Sequence, residues 1–117
     1  MYSERVRELI STLPNRGTLA EATHRSRSEN PVCGDITHLY LKIEGDLVQD
    51  CRFQTHGCPG AIAAAAAITL LCKGKTTTEC RQLTIESLLD FLQGLPSHKI
   101  HGAELALAAL KKALISV

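Results

Sequence analysis

The chain has 117 residues, enough for a core of its own, and is expected to form one domain over 1–117. Apolar residues make up 44% and the formal charge is +1, which excludes a disordered chain and leaves no electrostatic footprint for nucleic acid or an anionic membrane. Aromatics are 3% with no tryptophan, too few for a base-stacking platform.

The first ten residues interleave Glu4, Arg5, Arg7 and Glu8 with apolar positions and lack the apolar stretch of a signal peptide. Ser3 is placed to cap a short helix with Val6, Leu9, Ile10 and Leu13 on one face, ended by Pro14-Asn15-Arg16-Gly17. Leu19 to Glu29 is polar and reads as an edge strand or an extended arm. Ile36 to Ile43 alternates, with Leu39, Leu41 and Ile43 on one face and His38, Tyr40 and Lys42 on the other. Glu44-Gly45-Asp46 is a hairpin turn, and Leu47 to Thr55 alternates again with Leu47, Cys51 and Phe53 toward the core. Such a sheet needs a helical cover. That cover opens at Gly57-Cys58-Pro59-Gly60, where Pro59 suits the first helical position. Ala61 to Leu71 forms a helix of small residues closed by Lys73-Gly74; its apolar run to Cys72, interrupted by Thr69, is too short to span a bilayer. Thr76-x-x-Glu79 is a capping box, Thr84 caps a helix to Gln93, and a last helix from about Gly102 carries Ala103, Leu107, Leu110 and Leu114 on one stripe. Strands first and helices later give an α+β class: a small antiparallel sheet of about three strands packed by helices.

The expected compartment is the cytoplasm, where five cysteines, an odd number, are thiols or metal ligands rather than disulfides. Cys33 precedes the first hairpin strand and Cys58 follows the second. The two outer ends of a hairpin are adjacent, so both thiols and Asp35 are expected at one end of the molecule. Cys58 stands at a helix N-terminus, where unpaired N–H groups favour a thiolate. Cys51 alternates in phase with Phe53 and is read as core, Cys72 as the close of an apolar helix, and Cys80 as part of a short surface helix. His98 and His101 taken alone read as surface or capping histidines, and only nearness to the site promotes His101; His24, His38 and His56 lack that support, although His56, two residues from Cys58, is near enough to reach a metal.

Cys33-Gly34-Asp35, Gly57-Cys58, the alanine helix followed by Lys73-Gly74-Lys75, and Leu95-Pro96 with Lys99-Ile100-His101 occur in this order across nearly the whole chain. Together with Tyr2-Ser3 they resemble the U-type (IscU/NifU-like) iron–sulfur scaffold family. The resemblance implies transient assembly of a [2Fe–2S] cluster, with sulfur from a cysteine desulfurase and delivery to acceptor proteins, and no enzymatic turnover. It implies Cys33 and Cys58 as ligands, Asp35 as the residue that makes the cluster labile, His101 in the ligand shell and Lys99 as its basic neighbour. The pattern's third cysteine falls on Gly102, and Pro59 stands where many members carry another small residue. The stretch Leu95-Pro96-Ser97-His98-Lys99, read by a DnaK-type chaperone in the family, has one proline instead of two. The remaining donors Cys33, Asp35, Cys58 and His101 suit a mixed-ligand [2Fe–2S] cluster or its iron, or zinc as the alternative in a paralogue that binds the desulfurase without building clusters. A third reading is a sulfur acceptor carrying a persulfide on Cys58.

Overall fold

A computed structural model describes residues 1–115. Ser3 caps α1 (Glu4–Thr12), its hydroxyl accepting from the Val6 amide at 3.1 Å, and Val6 and Leu9 are buried. Leu13 turns the chain out with a φ of 47°. The polar stretch after it contains β1 (His24–Glu29), which pairs antiparallel with β2 (Ile36–Glu44), and β2 with β3 (Leu47–His56), in the order β1-β2-β3. β1 is therefore the edge strand the sequence suggested.

Leu39 pairs with Phe53 and Leu41 with Cys51, and all four are buried on the inner face. Near the turn the expected alternation breaks. Lys42 pairs with Asp50 but Ile43 pairs with Val48, leaving Gln49 as an extra residue on β3. A bulge of this kind reverses the phase of the strand beyond it. Val48 consequently takes the buried place, and Leu47, read as core from the sequence, is 37% exposed.

The helical layer consists of α2 (Pro59–Cys72), α3 (Thr77–Arg81), α4 (Ile85–Phe91) and α5 (Ile100–Ile115), with a 3₁₀ turn at Ser97–Lys99 before α5. α2 lies over β3 and against α5, and α5 over β1 and β2. A helix buried all round must be apolar all round, and α2 buries Ala61, Ala63 to Ala67, Ile68 and Cys72. Its one hydroxyl inside, Thr69, donates to the Ala66 carbonyl at 2.6 Å and accepts from Asn15 Nδ2 at 3.1 Å, so its burial leaves no group unpaired. The capping boxes Thr76–Glu79 and Thr84–Ser87 are both formed. α3 is no surface helix at Cys80. That side chain is 1% exposed, its Sγ 3.8 Å from the Cys72 carbonyl oxygen. α5 starts two residues before the expected Gly102 and buries Ala103, Leu110 and Leu114 with Leu105, Ala106, Ala109 and Ala113, while Leu107 is half-buried. Among the described residues no helix is long and apolar enough to cross a membrane.

One end of this frame collects the loops of interest. Glu29 of β1 and His56 of β3 both pair with Ile36, the first residue of β2. The β1–β2 loop and the β3–α2 junction therefore leave the sheet side by side.

Candidate functional site

The β1–β2 loop, residues 30–35, is closed by its own backbone. The Asn30 amide donates to the Asp35 carbonyl at 2.9 Å, and the Gly34 amide to the Asn30 carbonyl at 2.7 Å. Asn30 Oδ1 accepts from the Val32 amide at 3.0 Å, an Asx turn that pins the first half. Gly34 has a φ of 79°, which a glycine adopts without strain. Cys33 is thus held exposed at the tip, and Asp35 faces inward with 8% exposure.

Asp35 is where the site takes its shape. One step beyond the last β2–β3 pair, its side chain lies against Gly57, so closely that a Cβ there would stand 2.5 Å from Asp35 Cγ. Gly57 does not have a positive φ. The carboxylate, not the backbone conformation, is what excludes a side chain at this position. Asp35 Oδ2 is buried and has no hydrogen-bond partner, and His101 Nε2 lies 3.7 Å away, too far for a hydrogen bond. A buried carboxylate oxygen without a partner is costly, and its position beside two further donors suits it to bind a cation. One donor atom each from Cys33, Asp35 and His101 lie within 4.8 Å of one another. Bond lengths of about 2.0–2.3 Å put the donors of one tetrahedral ion about 3.3–3.8 Å apart. The Asp35–His101 separation already has that size, and the sulfur, oxygen and nitrogen donors fit a transition metal.

Cys58 stands outside this set of three. It is the N-cap of α2, with φ −71° and ψ 162°, and its carbonyl accepts from the amides of Ala61 at 3.0 Å and Ile62 at 3.1 Å. Pro59 occupies the first helical position as expected. The Cys58 thiol is half-buried and makes no capping hydrogen bond, so it is uncommitted, one residue from the Gly57–Asp35 contact. His101 lies in the first turn of α5, and a shallow cleft of about 230 Å³ bordered by Glu29, Asn30 and Glu104 opens beside it. His56, the last residue of β3, and the exposed His98 are not among the grouped donors.

Sequence reasoning missed Gly57 and Gly102 as spatial residues. Gly102 is buried at the start of α5, and a Cβ on it would stand 2.8 Å from the Ala61 nitrogen. The signal for Gly57 was the hairpin register. It could be read only with the Gln49 bulge in hand, because a bulge-free hairpin on the same turn sets Asp35 against His56 instead.

Comparison with known proteins points the same way. The profile of the NifU-like N-terminal domain matches residues 1–116. An iron–sulfur cluster assembly scaffold protein IscU of Archaeoglobus fulgidus is 36% identical over 115 residues, covering 98% of this chain and 75% of its own length. The IscU scaffold protein of Aquifex aeolicus is 36% identical over 115 residues, covering 97% of this chain and 73% of its own. The crystal structure of a putative iron–sulfur cluster assembly scaffold protein for the SUF system from Fervidobacterium islandicum superposes with a TM-score of 0.82. It covers 97% of this chain and 96% of that one, at 22% identity, a likeness of fold.

Proposed function

The chain belongs to the NifU-like N-terminal domain family, and on that footing we propose that it is an iron–sulfur cluster assembly scaffold. It would hold a [2Fe–2S] cluster, or the iron for one, as cargo on Cys33, Asp35, Cys58 and His101. The observation that carries this assignment of residues is the orphaned Asp35 Oδ2, buried beside Cys33 and His101. Cys33 and Cys58 would supply the thiolates that a sulfide cluster needs, the Cys58 sulfur being uncommitted to any cap of α2. Asp35 is the weak point of the set. Carboxylate oxygen is a harder and poorer ligand for such iron than thiolate. Two thiolates, one carboxylate and one imidazole hold cargo loosely enough to surrender it by ligand exchange. Exposure of Cys33 and of the neighbouring Val32 leaves that exchange open to a partner.

In this reading a cysteine desulfurase supplies the sulfur and acceptor proteins take the cluster, in a cytoplasmic setting and with no turnover by the chain itself. The Leu95–Lys99 stretch, with Ser97 and His98 exposed just before α5, is the segment a DnaK-type chaperone would grip. A mononuclear zinc ion is the second reading. The mutual 4.8 Å spacing of three donors, compact enough for a single ion, favours it. Anaerobic reconstitution with ferrous iron, cysteine and a desulfurase distinguishes the two. Absorbance and analysis should find iron and sulfide in equal amounts on the wild type and none on Cys33→Ala or Cys58→Ala. A colourless product with one tightly held zinc gives the second reading, and a persulfide trapped on Cys58 without metal marks a sulfur acceptor. Iron and sulfide retained by Cys33→Ala would overturn the site.

A further inference from the structure

Gly102 brings two helices together. A Cβ at this residue would lie 2.8 Å from the Ala61 nitrogen, 3.0 Å from Ala61 Cα and 3.0 Å from the Gly60 carbonyl carbon. All three are backbone atoms in the first turn of α2, so none can swing aside as the end of a long side chain would. A Cβ on Gly60 would point elsewhere, at an ordinary 3.6 Å from Lys99 Cβ and Tyr2 Cε1. The closeness therefore depends on Gly102 and not on Gly60. The residue before it is His101, whose Nε2 stands 3.7 Å from the unpaired Asp35 Oδ2.

Building on the donor set assigned above, we propose that Gly102 is a positioning residue: by carrying no side chain it lets the start of α5 close on α2, and this seats the His101 imidazole beside Asp35 and Cys33 as the nitrogen donor. Metal donors must be held to within about 0.5 Å of their working positions. Relieving a 2.8 Å contact to an ordinary one near 3.6 Å, the spacing found at Gly60, moves α5 by more than that, and His101 moves with it. The place where the family pattern carries a third thiol is thus not an empty socket in this chain. Backbone of Gly60 and Ala61 occupies it, and a cysteine restored at 102 pushes the histidine out without itself gaining a seat.

The test is anaerobic Co(II) titration of the whole chain, followed in the thiolate-to-cobalt charge-transfer band and the d–d envelope. Gly60→Ala should bind as the wild type does. Gly102→Ala should weaken binding about 10–100-fold, the range expected when a group that orients a ligand is lost. Its d–d envelope should match that of His101→Ala, and the double variant should bind no more weakly than His101→Ala alone. Gly102→Cys should also bind more weakly than the wild type, with no gain in the charge-transfer band. Wild-type affinity in Gly102→Ala, or tighter binding with a stronger thiolate band in Gly102→Cys, overturns the proposal. Co(II) binding that survives Cys33→Ala unchanged overturns the donor set instead, and the metal-free protein then decides. Its NMR spectrum should show nuclear Overhauser contacts from Gly102 Hα to the Ala61 amide and from the His101 ring to Asp35 Hβ. The second should vanish in Gly102→Ala. Absence of either contact in the wild type overturns the proposal even if the variants do not fold.

Discussion

The five cysteines divide into two regions that share a residue type and little else. Cys33 is exposed and Cys58 half-buried at the loop end of the sheet. Cys51, Cys72 and Cys80 lie inside, at 0%, 0% and 1% exposure. Burial pushes the Cys51 thiol far above the usual thiol range, and a hydrogen bond with Cys80 together with burial does the same to Cys72. Cys51 and Cys72, which keep their protons at ordinary pH, are small apolar fillers; Cys80 is lowered by its hydrogen bond with Cys72 but is sealed from ligands at 1% exposure. The outer two lie outside the core: Cys33 stands beside a carboxylate oxygen that lacks a partner, and Cys58 is one residue from the Gly57–Asp35 contact. Surroundings, then, decide which thiols can become ligands.

The contrast can be broken most directly at Cys33. Cys33→Ala should reduce metal or cluster affinity by more than about 100-fold, a ligand being worth more than the groups that orient it. It should leave the melting temperature of the metal-free protein nearly unchanged; an unfolded variant would show that Cys33 is structural. The mirror experiment is Cys51→Ser, which puts a hydroxyl without an evident partner into the core. A loss of about 1–3 kcal/mol in urea unfolding is expected, with metal affinity intact. Loss of metal without loss of stability would assign Cys51 to the wrong region.

Asp35→Ala should act on both quantities in opposite senses. The metal-free protein should gain about 1 kcal/mol, because a buried oxygen without a partner is removed. The reconstituted cluster should decay more slowly on transfer to a chelator, and faster decay would contradict the lability assigned to this carboxylate. The smallest effect belongs to Asp50, next to Cys51 and away from the loops. Burial raises its carboxyl, but the Cys51 amide and Arg52 outweigh that and hold it below the usual carboxylate range. A depressed value in the folded state gives stability that is complete above the unfolded value, near about 3.9, and disappears as pH falls through the folded one. Asp50→Asn should flatten the fall of the melting temperature below about pH 4 and leave metal binding untouched.

Local chemistry made much of the fold legible. Ser3, Thr76 with Glu79, and Thr84 cap helices as their side chains require, Pro59 opens α2, and Gly45 turns the hairpin with a φ of 64°. Cys33 and Asp35 could be placed at one end because a hairpin returns to where it began. Three features escaped for a common reason. The Gln49 bulge, the burial of Cys80 and the approach of Gly102 to Ala61 each depend on how one element meets another, where neither periodicity nor capping carries a signal. Cys58 was expected beside Cys33 from topology, but topology sets the course of the backbone and leaves the direction of a half-buried side chain free.

The unpaired Gln49 fixes more than its own neighbourhood. Because it adds one residue to β3 and none to β2, it offsets every later pairing, so that Gly57 rather than His56 comes opposite Asp35. Pairing the strands without the bulge, with Gln49 kept and drawn into the ladder opposite Lys42, would turn Cys51 and Phe53 outward and bring an imidazole down on the carboxylate. The far tip of the hairpin thus works like a vernier for the opposite end: the loop end should tolerate substitution or deletion of Gln49 far better than a register slip that draws Gln49 into the ladder.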